Sequence, residues 1–190
     1  FPVRAGQTIL VHAAAGGVGT ILSQWAKHLG ATVIGVVSTE EKAALARAHG
    51  CAEVILSGQE DIAARARELT DGEGVPVVFD AVGKDTFEAS LHALRPRGML
   101  VSYGTASGPI PPFDLFRLNQ MGSLYVTSAA FYWHMRTRAE MLGRAAELIE
   151  VVLSGAVKIA VNQRYALDEA ADAHRAMESR ATSGMSVLIP

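Results

Sequence analysis

The sequence predicts an α/β protein built on a doubly wound parallel sheet of six strands. Three observations predict it. Apolar strand-like runs alternate with helical repeats over residues 8–127, a glycine turn joins the first strand directly to the first helix, and glycine or proline marks many of the later boundaries. With 190 residues, 49% of them hydrophobic, the chain can bury roughly 70% of the surface it exposes when unfolded.

Thr8 to His12 reads as the first strand, since a parallel strand covered on both faces needs continuous apolar character. The run Ile9-Leu10-Val11-His12-Ala13-Ala14-Ala15-Gly16-Gly17-Val18-Gly19 then turns on residues without bulk and opens a helix from Gly17 to Leu29, closed by Gly30. Thr32 to Val37 is the second strand. Ser38 is placed to cap the next helix, with Glu41 completing a capping box and Gly50 ending it. Glu53 to Leu56 is a short strand, Asp61 to Thr70 a helix, and Val75 to Asp80 a fourth strand beyond the turn Asp71-Gly72-Glu73-Gly74. A helix from Thr86 to Leu94, the turn Pro96-Arg97-Gly98 and a fifth strand from Met99 to Tyr103 follow. The loop Gly104 to Pro112 lies at the carboxyl end of that strand, where open parallel sheets carry their ligands. A short helix from Asp114 to Leu118 and a sixth strand from Ser123 to Thr127 complete the series. The pattern then changes to a long helix from Arg138 to Leu153, a strand from Arg164 to Leu167, a helix from Asp168 to Ser179 and a strand from Ser186 to Ile189. Residues 1–130 are therefore expected to form the sheet domain, and 131–190 part of a second, incomplete unit. The chain starts at Phe1 without methionine and reaches its first strand almost at once, as expected of a piece of a longer protein.

Composition excludes several classes. A net charge of −2 gives no basic field for nucleic acid or an acidic membrane surface. No apolar stretch is long enough to cross a bilayer as a helix. Cys51 is the single cysteine, which suits a reducing cytoplasm and rules out an intrachain disulfide. His12, His28, His49, His92, His134 and His174 lack partners at ligand spacing, so no metal is expected. Ser107-Gly108 is not part of a nucleophile elbow, and Asp80 reads as the cap of a following turn. No catalytic residue is assigned.

The turn between strand and helix reads as a phosphate cradle formed by Ala15, Gly16, Gly17 and Val18. Small residues let backbone N–H groups approach a pyrophosphate, and the helix presents the positive end of its dipole. A cofactor held by its ribose diol meets Asp or Glu at the end of the second strand. This chain has Ser38 there, with Lys42 one turn on, although Glu40 and Glu41 lie between. A hydroxyl, free helix amides and a cation favour an extra phosphate, so the expected cofactor is NADPH. An S-adenosylmethionine methyltransferase also wants an acidic residue at that place, and Ser38 counts against it.

Taken together, His12-Ala13-Ala14-Ala15-Gly16-Gly17-Val18-Gly19, Phe79-Asp80-Ala81-Val82-Gly83, Leu118-Asn119-Gln120, Gly122-Ser123-Leu124-Tyr125-Val126-Thr127 and Glu178-Ser179-Arg180-Ala181-Thr182 resemble the zinc-free NADPH:quinone oxidoreductases, the zeta-crystallin-like branch of the medium-chain dehydrogenase/reductases. The resemblance runs the length of the chain. It implies a Rossmann sheet followed by the returning end of a GroES-like catalytic domain whose N-terminal half would precede Phe1. It also implies hydride transfer from NADPH to a quinone or related enone, with Gly16, Gly17 and Val18 along the pyrophosphate, Lys42 at the 2′-phosphate, and Val82 and Gly83 by the adenosine or ribose. Tyr103 and Gly104 would sit beside the nicotinamide and Arg180 near the cofactor. Two departures stand out: Ser57 replaces a tyrosine common in the family, and Ser128 to Trp133 differs from relatives. The resemblance further implies a cytoplasmic homodimer that pairs through the exposed edge Ser123-Leu124-Tyr125-Val126-Thr127. The alternative is a non-catalytic NADPH-binding or structural module of the same fold.

Overall fold

The computed structural model describes residues 1–179 and 181–190. Its centre is a six-stranded parallel sheet in the order β3-β2-β1-β4-β5-β6, which is the doubly wound, Rossmann-like arrangement. The strands are β1 (Thr8–His12), β2 (Thr32–Val37), β3 (Glu53–Leu56), β4 (Val75–Asp80), β5 (Leu94–Ser102) and β6 (Tyr125–Ser128). Between them run α1 (Gly17–His28), α2 (Glu40–Ala48), α3 (Ile62–Glu68), α4 (Phe87–Ala93) and α5 (Phe116–Gln120).

Continuous apolar strands are what a sheet covered on both faces requires, and alternate residues separate into two cores. Leu10, Ile34, Ile55, Val78 and Leu100 pack with Phe87 and Leu91 of α4 on one face. Ile9, Val11, Val33 and Val37 pack with Ala26 of α1, Ala43 of α2 and Cys51 on the other. Cys51 is a free, buried thiol. Arg67 locks the end of α3 to the neighbouring chain, donating to the carbonyls of His92, Gly72 and Leu94 at 2.9, 3.1 and 2.9 Å.

Several element boundaries depart from the sequence expectation. The fifth strand begins at Leu94, not Met99, because a bulge between Val75 and Val77 absorbs the Pro96-Arg97-Gly98 turn, with Arg97 at φ 61°. The sixth begins at Tyr125, not Ser123. Gly122 and Ser123 are left-handed, and the Leu124 N–H donates back to the Leu118 carbonyl. The short helix starts at Phe116, since the Asp114 carboxylate accepts from the Phe116 N–H ahead of it.

After β6 come a one-turn helix α6 (Phe131–His134), the long α7 (Arg138–Leu153), β7 (Val161–Ala166), α8 (Ala170–Glu178) and β8 (Met185–Ile189). A capping box of Thr137 and Glu140 starts α7. β7 and β8 pair in parallel as a separate two-stranded sheet. β7 starts at Val161 instead of Arg164, and a turn of 3₁₀ helix (Leu167–Glu169) occupies the expected start of α8. Among the described residues no helix is long and apolar enough to cross a membrane.

Candidate functional site

The glycine turn lies at the carboxyl end of β1. Ala13 leaves the strand in a left-handed conformation at φ 51°, the Ala14 N–H donates to the Val36 carbonyl at 3.2 Å, and Gly16 enters α1 as its extended N-cap. A Cβ on Gly16 would stand 3.2 Å from the Ala13 oxygen, and one on Gly19 would overlap that same oxygen. Only glycine allows the helix to start this close to the strand end. Gly17, Val18 and Gly19 form the first turn of α1, where a helix leaves its N–H donors without intrahelical acceptors.

A second wall of this cradle comes from the far end of the chain. The Gly184 N–H donates to the Ala15 carbonyl at 2.8 Å, Gly16 and Gly184 form an isolated parallel bridge, and a Cβ on Gly17 would lie 3.3 Å from the Gly184 oxygen. Gln24 of α1 holds the approach to β7 in the same way, exchanging hydrogen bonds with the Lys158 carbonyl at 3.0 Å and N–H at 2.9 Å.

A cavity of about 380 Å³ opens over the ends of β1, β2 and β4. Ala15, Gly16, Ser38, Lys42 and Val82 share its lining, together with Ser57. Gly17, Val18, Gly83, Tyr103 and Gly104 are not in that wall. Val18 is exposed on α1. Gly83 and Gly104 have backbone roles: a Cβ on either would come within 2.7 Å of a carbonyl oxygen, that of Gly108 or of Ala81. Tyr103 follows β5 and donates its N–H to the Asp80 carbonyl at 2.8 Å. Arg180 lies outside the described residues.

Ser38 does not cap α2. The helix begins one residue later than expected, with Thr39 extended as the N-cap and its hydroxyl accepting from the Lys42 N–H at 3.2 Å. Glu41 thereby falls one position short of the capping-box place. It lines a neighbouring depression of about 310 Å³ with Lys42, Asn162 and Ser183. Ser38 is thus outside the helix cap and in the cavity lining.

Below the cavity, Asp80 is 1% exposed and organises the β4–α4 connection. One carboxylate oxygen accepts from the N–H groups of Val82 and Gly83 at 2.7 and 3.1 Å, the other from the hydroxyls of Thr86 and Ser90 at 2.7 and 2.9 Å. Four donors compensate the burial of this acid. Nearby burial, reinforced by Asp80, pushes the Tyr103 phenol up to about 12, so it keeps its proton.

His12 was missed as a site residue. It is among the residues that line the cavity, its Nε2 lies 2.9 Å from Ser90 Oγ, and its buried Nδ1 has no hydrogen-bond partner among the described residues. Since Ser90 spends its one proton on Asp80, the network assigns the proton of His12 to Nε2. Burial lowers the His12 pKa against the opposing pull of Asp80, which keeps the ring neutral. The signal in the sequence was a lone polar residue closing an apolar strand. Thr86 and Thr182, also in the cavity wall, carried no such signal.

Comparison with known proteins places these features in context. Residues 17–147 match the family described as zinc-binding dehydrogenase. The chain is similar to a quinone oxidoreductase of Pseudomonas aeruginosa, 50% identical over 190 residues that cover all of this chain and 58% of the relative. It is 47% identical over 189 residues to a 2-haloacrylate reductase of Burkholderia, covering 99% of this chain and 57% of the relative. Among solved structures, Escherichia coli quinone oxidoreductase complexed with NADPH superposes with a TM-score of 0.97 at 45% identity, over all of this chain and 59% of that one. This chain thus spans somewhat over half the length of the relatives it matches. The matched family description names zinc. Among the described residues no group of three or more His, Cys, Asp or Glu side chains could hold a metal ion, so zinc does not fit these residues.

Proposed function

The chain belongs to the zinc-binding dehydrogenase family, and from that premise we propose that it is the NADPH-binding part of an oxidoreductase that reduces quinones or related enones. The observation that carries the reading is the shared cavity. One lining brings a glycine cradle at a helix start together with Ser38 and Lys42 at the end of β2, the place where a diol-binding protein needs a carboxylate. The cavity fits the cofactor on its own terms, because its wall holds the tight turn of Ala15 and Gly16 at the start of α1, where a helix leaves backbone N–H groups without intrahelical acceptors.

In this reading Ala15, Gly16, Gly17 and Val18 hold the pyrophosphate, Ser38 and Lys42 the 2′-phosphate, and Val82 and Gly83 lie beside the adenosine or ribose. Tyr103 and Gly104 flank the nicotinamide. Bound dihydronicotinamide supplies a hydride. The chain's own residues bind and orient: Asp80 fixes the 81–86 turn, Gly184 closes the cradle, and Tyr103 offers a protonated hydroxyl. Residues 1–130 are the dinucleotide domain and 131–190 the return of the catalytic domain. β6 ends the sheet order and pairs across a two-fold axis with a second copy. The likeness to a quinone oxidoreductase, the free thiol of Cys51 and a similar structure bound to NADPH support a cytoplasmic enzyme of this class.

Full-length protein should bind NADPH well ahead of NADH by fluorescence titration and oxidise it with 1,4-benzoquinone. Lys42→Ala should cut NADPH affinity by about tenfold and leave NADH unchanged, the loss of one charge-assisted contact. Equal affinity for both cofactors in the unaltered protein defeats the assignment. NADPH binding without benzoquinone turnover favours the non-catalytic module.

A further inference from the structure

The place where a 2′-phosphate would sit carries charges of both signs. Lys42 lines the cavity with Ser38, and it also lines the neighbouring depression with Glu41, Leu45, Asn162 and Ser183. Thr182 belongs to the cavity wall while Ala181 and Ser183 belong to the depression, so Lys42 and the 181–183 segment form the partition between the two hollows. Glu41 stands on the far side of that partition. It and Leu45 are one turn apart on α2, a spacing that puts two side chains on one helix face, and both line the depression. The Thr39 cap leaves Lys42, and not Glu41, at the position where a capping box would engage a side chain. The Glu41 side chain is therefore not drawn into the helix start and is exposed. Its charge acts through water, over a reach of about 30 Å at 0.01 M salt and about 3 Å at 1 M.

We propose that Glu41 is a specificity-determining residue opposed in sign to Lys42: its carboxylate weakens the hold on a 2′-phosphate and so lowers the preference for NADPH over NADH. The phosphate that accepts from Lys42 lies within reach of the Glu41 charge at low ionic strength, because the two residues are neighbours on one helical turn. The pyrophosphate is common to both cofactors and cancels in the comparison, whereas the 2′-phosphate belongs to NADPH alone. Acids in the first turn of a helix also favour its dipole, and Glu40 shares that role. Glu40 lines neither hollow, which makes it the control. The inference rests on the dinucleotide reading above.

The test is fluorescence titration of full-length protein with NADPH and with NADH, at low and at high salt. Glu41→Gln keeps the length of the side chain and removes its charge. It should tighten NADPH by about three- to fivefold at low salt, move NADH by less than about twofold, and lose most of the gain at high salt. Glu41→Asp keeps the charge and should stay close to the unaltered protein. Glu40→Gln removes the same charge from the same turn and should give a smaller gain. An unchanged ratio of NADPH to NADH affinity in Glu41→Gln overturns the proposal. So does an equal gain in Glu40→Gln, which would assign the effect to the helix start as a whole, or a gain that survives in full at high salt, which would assign it to a direct contact. If Lys42→Ala weakens NADPH while Glu41→Gln changes nothing, only this inference falls. If the unaltered protein has no preference for NADPH and Lys42→Ala is inert, the 2′-phosphate reading itself falls.

Discussion

The six-stranded sheet and the segment after residue 130 are held together by different means. In the sheet, Ile9, Leu10, Ile34 and Leu100 are wholly buried, and each face has its own apolar core. In the later segment α7 buries only Val151 along its 16 residues, while Leu153 is 81% and Phe131 73% exposed. The segment also buries Val157 and Ala173, and directed polar links, Gly184 to Ala15 and Gln24 to Lys158, tie it to the start of α1 and the turn before it. Area removed from water supplies stability in proportion to its size, but hydrogen bonds at defined atoms set position. The first region is therefore the stable body of the chain. The second is a positioned wall for the cradle.

Substitutions can break this comparison. The largest effect should come from Leu100→Ala, a truncation in the middle of β5. It should cost about 2–5 kcal/mol in urea unfolding of the 190-residue chain, with an unchanged slope. A loss near zero would mean that the sheet is not the stabilising body. The next effect is a pH dependence rooted in His12. Its folded pKa lies below the ordinary 6.5, so the unfolded chain takes up a proton first as the pH falls. This contribution to stability is complete above about pH 6.5 and is lost on acidification below it, at up to about 1.4 kcal/mol per pH unit. His12→Phe should flatten that limb, which unfolding midpoints at a series of pH values would show. The smallest effect belongs to Leu153→Ala, a deletion of the same size as Leu100→Ala on the exposed side of α7. It should stay within about 0.5 kcal/mol of the unaltered chain. A cost comparable to that of Leu100→Ala would show that the two regions share one core.

Most of the sheet could be read directly. β1, β2, β3 and β4 have the residues expected of them, because continuous apolar runs bounded by Gly or Asp are local signals. Boundaries slipped where a neighbour decided them. The bulge that carries β5 through Pro96 exists only because β4 lies alongside, and Thr39 displaced Ser38 as the cap through its backbone angles and not its side-chain type. In the site, Ala15, Gly16, Ser38 and Lys42 stood out by their spacing from the first strand. The His12–Ser90 contact joins residues 78 apart, and the closing of the cradle by Gly184 joins residues still more distant. No window of sequence contains both partners of either.

The bond between the Gly184 amide and the Ala15 carbonyl also constrains the order of assembly. The glycine turn is among the first parts of this chain to leave the ribosome, while the strand that flanks it is among the last. During synthesis the turn can acquire its local shape early, yet it must wait with an open side until nearly every other residue has emerged. Contacts between residues so far apart in sequence raise the contact order of the chain, and high contact order goes with slow folding.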